Sequence, residues 1–155
     1  MIISNPAEVE KNLREITDKL GMPIDSRIFK ACVILNSLGY KTRQSCQGHA
    51  ENYTTYPWIE IYYNEEVTPE YYLTSSKHFY DNLFQDLKLY FQTKQFNYDE
   101  MITFEKFKAK IFTVRLSQMQ NSKCFKNKRE EKLETYLQEI NDFCQFLSQK
   151  YNLNV

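Results

Sequence analysis

Glycine is scarce in this chain, and its positions limit where helices can end. Only 3 of the 155 residues are glycine. Gly21 and Gly39 each follow a segment with apolar residues at helical spacing, and glycine is the commonest residue just past a helix end. The sequence therefore predicts two N-terminal helices that these glycines end. Gly48 has no helix before it and needs another explanation.

The first helix is predicted from its start signal and its apolar stripe. Asn5 is a typical N-cap, and proline, here Pro6, is favoured at the first helical position. The second helix is expected to begin at Asp25 or Ser26. The apolar residues that define the two stripes are Val9, Leu13, Ile16 and Leu20 in the first helix, and Ile28, Cys32, Leu35 and Leu38 in the second.

Later segments alternate between strand and helix patterns. "YKTRQS" (40–45) and "WIEIYY" (58–63) are rich in strand formers, and 76–93 has a helical stripe. "ITFEKFKAKIFTVRLS" (102–117) is predicted to be extended, with its alternation changing phase at a bulge or tight turn near Ile111. A long helix is predicted from about Lys128 to Tyr151, with a stripe suited to packing within the chain or to a coiled-coil dimer.

These elements predict the fold class. Their order is ααββαββα, which indicates an α+β protein with a small, mostly antiparallel sheet packed against helices. No repeat or linker rich in Gly, Pro or Ser interrupts the chain, so a single globular domain over residues 1–155 is expected.

Charge and cysteine content narrow the class of protein. The formal net charge is zero, yet residues 106–129 carry basic side chains and no acidic ones. This asymmetry is typical of a phosphate-binding surface, of a surface for an acidic partner, or of a solvated face. Without a secretion signal or a long apolar run, a cytoplasmic protein with reduced cysteines and no membrane partner is expected.

The segment "TRQSCQGHA" (42–50) is the main candidate site. With no helix before it, Gly48 indicates a backbone with positive φ or a close approach to another group. A thiol, Cys46, and an imidazole, His49, would then lie close together at the end of a predicted strand. Loops held by a rigid sheet often carry reactive groups.

Four interpretations of Cys46 and His49 remain open. Both residue types bind zinc, although the further ligands that a structural site needs are not evident from spacing. Cys46 could be a nucleophile with His49 as its base, or be activated by Arg43. The segment could be a structural turn with Cys46 buried. It could also bind a ligand without covalent chemistry, with contributions from Thr42, Arg43, Ser45, Gly48 and Trp58.

The same residues carry a family resemblance. The stretch 38–61 resembles the signature of a family of small, functionally uncharacterised bacterial and phage proteins, in which Leu-Gly leads to Thr-x-x-Ser-Cys-x-Gly-His and then Pro-Trp. More distantly, it is similar to the Thr-Ser-Ser-Cys-Ser-Gly-Arg stretch of wybutosine-synthesis tRNA methyltransferases, with His49 in place of the arginine and the rest of that family's pattern not evident. The resemblance implies a site in this loop and supplies no reaction or cofactor.

Two functions of different classes follow. In the first, the protein binds or acts on a nucleotide, RNA or DNA through the Thr42–His49 loop, with Lys126, Lys128 and Arg129 attracting phosphates. In the second, it is a regulator or inhibitor that binds an acidic protein through the basic stretch 106–129, and the loop is structural. The sequence leaves open whether the protein is an enzyme.

Overall fold

The computed structural model describes residues 3–49, 57–62, 69–94, 102–108, 112–118 and 126–155. They form an α+β fold with the predicted element order. The helices are α1 (Pro6–Arg14), α2 (Ser26–Ser37), α3 (Pro69–Gln92) and α4 (Lys126–Lys150). The strands are β1 (Lys41–Cys46), β2 (Trp58–Tyr62), β3 (Ile102–Lys108) and β4 (Phe112–Gln118).

The four strands form one antiparallel sheet in the order β1-β2-β4-β3, with β1 at one edge and β3 at the other. The predicted extended segment is thus two strands, and Lys108 pairs with Phe112 where the chain reverses. Ile111, where the change of phase was predicted, lies outside the described residues, as do Lys123 and Cys124.

The core lies between the sheet and the helices. Ile59 and Ile61 of β2 are fully buried in the cluster that also contains the apolar faces of α2 and α4. The α4 stripe packs within the chain, since Leu133, Leu137, Ile140, Cys144 and Leu147 are all buried. Cys32 and Cys144 are core residues, as predicted.

Contacts between helices fix their directions. Asn141 Nδ2 donates to the Arg27 carbonyl, and Arg27 forms an ion pair with Glu134, so the start of α2 lies beside the middle of α4. At the other end of α4, Lys150 and Tyr151 contact the buried carboxylate of Asp86 from α3. Lys94, just after α3, pairs with Asp142, so α3 is antiparallel to α4. Tyr40, just after α2, lies near Tyr151, so α2 is parallel to α4.

The prediction for the first helix is wrong at its C-terminal end. Asn5 caps α1 by accepting from Ala7 N at 3.0 Å, as expected, but the helix ends at Arg14 and not before Gly21. Ile16 is 51% exposed and Leu20 is 86% exposed, so neither belongs to the buried stripe. Gly21 instead lies with φ 77° in the segment 15–25, here called the α1–α2 loop.

The second predicted helix is confirmed, including its end. Asp25 is the N-cap residue of α2, and Gly39 follows the C-cap Leu38 with φ 84°. Helix α3 begins at Pro69, seven residues before the predicted start, and proline is favoured there. Among the described helices, none is long and apolar enough to cross a membrane.

Candidate functional site

The pairing of β1 with β2 is interrupted within the candidate segment, between Thr42 and Gln44. Thr42 pairs with Ile61 and Gln44 with Glu60, so Arg43 is the extra residue of a β-bulge on the edge strand β1. Ser45 then pairs with Ile59. Without the bulge, residues 42 and 45 would lie on opposite faces of the strand. With it, both lie opposite buried isoleucines.

The two hydroxyl residues attach β1 to α2. Asn36 Nδ2 donates to Thr42 Oγ1 at 2.8 Å, and Thr42 N donates back to Asn36 Oδ1 at 3.3 Å. Burial raises the pKa of the Cys32 thiol to about 11, although hydrogen bonds with Ser45 and Thr42 act in the opposite direction. Thr42 and Ser45 therefore face the helix layer, and Cys32 is held as an unreactive thiol.

The turn after β1 is held by two hydrogen bonds from backbone N–H groups to side chains. Gly48 has φ 83°, which confirms the predicted left-handed backbone. Its N–H donates to Cys46 Sγ at 3.4 Å, and Gln47 N donates to Asp25 Oδ2 at 2.9 Å. The carboxylate of Asp25 thus fixes the turn from the start of α2, and no side-chain capping bond is formed by this N-cap residue.

Cys46 and His49 lie at this turn without being joined. Cys46 is half-buried and His49 is exposed, and neither of these two described side chains is hydrogen-bonded to the other. Their predicted catalytic pairing remains a prediction. Within the described part of the chain, no group of three or more His, Cys, Asp or Glu side chains is placed to hold a metal ion.

A cleft of about 380 Å³ lies between the α1–α2 loop and β1. We call it the β1 cleft. Its volume is in the range of small-molecule sites, roughly 300 to 1,000 Å³. Its apolar lining comes from Leu13, Ile16, Met22, Pro23, Ile24 and Trp58, and its polar lining includes Asp18, Asp25, Thr42, Arg43, Gln44 and Ser45.

The charged side chains of the β1 cleft differ in whether they already have hydrogen-bond partners. Asp18 Oδ1 is occupied by the N–H groups of Leu20 and Met22, at 2.8 and 2.9 Å, which shapes the α1–α2 loop. Arg43 is exposed, and its guanidinium forms no ion pair or hydrogen bond with any residue that the structure describes. At the cleft, the Arg43 guanidinium is therefore without a partner among the described residues and can bind an anion.

The structure separates the predicted site residues into three groups. Thr42, Arg43, Ser45 and Trp58 line the β1 cleft. Cys46, Gly48 and His49 lie immediately beyond it, in the turn. Lys126, Lys128 and Arg129 lie in the first turn of α4, for which the backbone alone is described.

The sequence interpretation missed the wall opposite β1. The sequence predicts only a helix start at Asp25, and no local signal indicates that its carboxylate binds Gln47, 22 positions away. Asp18 could have been found, because Asp before a Lys-Leu-Gly sequence is typical of a side chain that binds turn amides. The apolar wall residues Ile16 and Met22 lie in the segment that was predicted to be helical or to follow a helix.

Comparisons with known proteins returned no match for this chain among family models, curated proteins or solved structures. Functional inference therefore depends on the site itself.

Proposed function

We propose that the β1 cleft binds one nucleotide unit, taken either from a free nucleotide or from a single-stranded nucleic acid. The observation that carries the proposal is the combination of an aromatic side chain, Trp58, and the Arg43 guanidinium, which has no partner among the described residues, on a cleft of ligand size. A base can stack on an indole, and a guanidinium binds phosphate oxygens through two parallel hydrogen bonds.

The apolar wall supports a planar ligand. Ile24, Met22 and Pro23 lie in the loop opposite β1, so a base could be enclosed between them and the strand side of the cleft. Polar side chains lie on both the strand and the loop, where they can orient a ligand against the apolar wall. The exposed Arg43 would contact the phosphate at the solvent side.

The position of the start of α4 bears on whether the ligand is a free nucleotide or part of a single-stranded nucleic acid. It lies at the same end of the molecule as the start of α2, because α2 and α4 are parallel. Arg27 contacts both Glu134 and Asn141, and from these residues to Lys126 the helix axis runs for about 12 and about 22 Å, at 1.5 Å per residue. A strand of several nucleotides would span either distance.

Trp58 is the single tryptophan of the chain, so intrinsic fluorescence reports directly on the β1 cleft. Titration with nucleoside monophosphates should quench this fluorescence in a saturable way. Arg43→Gln should weaken binding roughly fivefold, because an exposed charge pair contributes about 1 kcal/mol. Lys30→Gln, which removes an exposed positive charge from α2 outside the cleft lining, is the matched control and should leave affinity unchanged.

Two outcomes would contradict the proposal. One is the absence of saturable quenching by any monophosphate or by a short single-stranded oligonucleotide. The other is equal loss of affinity in Arg43→Gln and Lys30→Gln, which would indicate nonspecific attraction. A stoichiometric complex with an acidic protein, without nucleotide binding, would favour the regulator or inhibitor function instead.

A further inference from the structure

Asp25 presents an unused acceptor to the β1 cleft. One carboxylate oxygen, Oδ2, accepts from Gln47 N at 2.9 Å. The other, Oδ1, has no hydrogen-bond partner among the described residues, although the side chain is half-buried and lines the cleft. An ionised carboxylate has about four lone-pair sites, so both oxygens can still accept bonds from a ligand.

Asp25 lies on the wall of the β1 cleft where the start of α2 meets the end of β1. The buried side-chain oxygen of Gln47, Oε1, has no hydrogen-bond partner in the structure described, but Gln47 is not among the residues that line the cleft. The acceptor that this junction offers to a ligand is therefore the Asp25 carboxylate.

The bases differ in how many donors they can bring to this junction. Guanine has two adjacent donor groups on its Watson–Crick edge, N1–H and the 2-amino group. Adenine and cytosine each have an amino group beside an acceptor nitrogen, and uracil has one N–H between two carbonyls. Among these bases, a carboxylate can accept two adjacent hydrogen bonds only from guanine.

We propose that the β1 cleft selects guanine, with the Asp25 carboxylate accepting from N1–H and the 2-amino group. The inference rests on the proposed nucleotide-binding function and specifies its ligand. In this arrangement the base lies against Trp58, and the phosphate extends toward Arg43 at the rim.

The unaltered protein allows the first test. Trp58 fluorescence titrations with GMP, IMP, AMP and CMP should give the tightest binding for GMP. IMP keeps N1–H and lacks the 2-amino group, so it should bind about tenfold more weakly, as expected for the loss of a hydrogen bond to a charged group. AMP and CMP should bind more weakly than IMP.

Asp25→Asn tests the role of the carboxylate while keeping the turn. The amide oxygen can still accept from Gln47 N, so the fold should be preserved, and the amide N–H₂ replaces an acceptor with a donor. The variant should lose its preference for GMP over AMP and gain affinity for XMP, whose 2-oxo group accepts from that amide. Asp18→Asn makes the same charge change on the same cleft and should keep the preference for GMP.

The two proposals fail in distinguishable ways. Equal affinities for GMP, IMP and AMP, with continued dependence on Arg43, would overturn guanine selection and leave nucleotide binding intact. Loss of the GMP preference in Asp18→Asn as well as in Asp25→Asn would also overturn it, because net charge would then account for the effect. Absence of binding by every nucleotide would overturn both.

Discussion

Arg43 determines which way the neighbouring side chains of β1 face. As the bulged residue of β1, it lets Thr42 and Ser45 both face α2, while it remains exposed at the cleft. Bulges on edge strands often redirect a side chain in this way. The Thr-x-x-Ser spacing, which is unusual for one face of a regular strand, follows from this local geometry.

Gly48 is the residue at which the turn depends on backbone freedom. Its φ of 83° is strained for an L-residue with a side chain, so Gly48→Ala should lower the free energy of unfolding by about 1 kcal/mol. For a chain of this size the melting temperature should fall by roughly 2 to 4 °C. Thermal unfolding followed by circular dichroism measures the change.

Gly21→Ala is the matched control for that prediction. Gly21 has φ 77°, and an added Cβ would meet no atom within 4 Å, so its cost is conformational strain alone. Gly48 is buried, so any larger loss at Gly48 measures crowding in the turn. A higher melting temperature for Gly48→Ala would show that the turn does not require glycine.

At the scale of elements, helix α4 carries the strongest concentration of predicted phosphate contacts. Its first turn contains Lys126, Lys128 and Arg129 and no acidic residue, although a helix N-terminus disfavours positive charge. A bound phosphate would relieve this conflict. Changing all three to Gln should weaken binding to single-stranded RNA and reduce the slope of log affinity against log salt by up to about 2, at about 0.7 per phosphate.

We expect the same triple variant to bind GMP with unchanged affinity, because the first turn of α4 precedes Glu134, the residue that contacts the start of α2. The two ligands therefore serve as internal controls for each other. An unchanged salt slope with RNA would remove α4 from the interface. A parallel loss of GMP affinity would show that the cleft and the first turn of α4 are not separate sites.

Helices with a buried apolar stripe, such as α2 and α4, could be predicted from the sequence. The C-terminal end of α1 could not. The inward residues of α2 and α4 have periodic positions because packing selects them. The apolar positions after Arg14 continued the period by coincidence. There, Asp18 binds the N–H groups of Leu20 and Met22, and such local side-chain bonds compete with helix formation.

The candidate site was predictable on its strand side and not on its loop side. Glycine conformation and residue types along 42–49 indicate a turn and a site, and the left-handed backbone of Gly48 confirms the former. The contact between Asp25 and Gln47 joins two segments far apart in sequence. A pattern within either segment contains no information about that pairing, so the opposite wall required the fold.

At the scale of the whole molecule, the two ends of the helix layer differ: one holds a structural ion-pair network and the other holds the candidate functional site. At one end, Asp86 is 1% exposed and joins α3 to α4 through Lys150 and the Tyr151 hydroxyl, the latter at 2.7 Å. The other end contains the start of α2, the end of β1 and the β1 cleft between β1 and the α1–α2 loop. Ligand binding should therefore affect the end that contains the β1 cleft and leave Asp86, Lys150 and Tyr151 unchanged.

Two-dimensional ¹H–¹⁵N NMR of the labelled protein during a GMP titration tests the central claim most directly. Nucleotide binding in the β1 cleft predicts saturable shifts of the Trp58 indole N–H and of the backbone amides of Arg43, Ser45 and Asp25, with little change at Asp86 and Lys150. The absence of saturable shifts, or shifts confined to the first turn of α4 or to the Asp86 end, would contradict it.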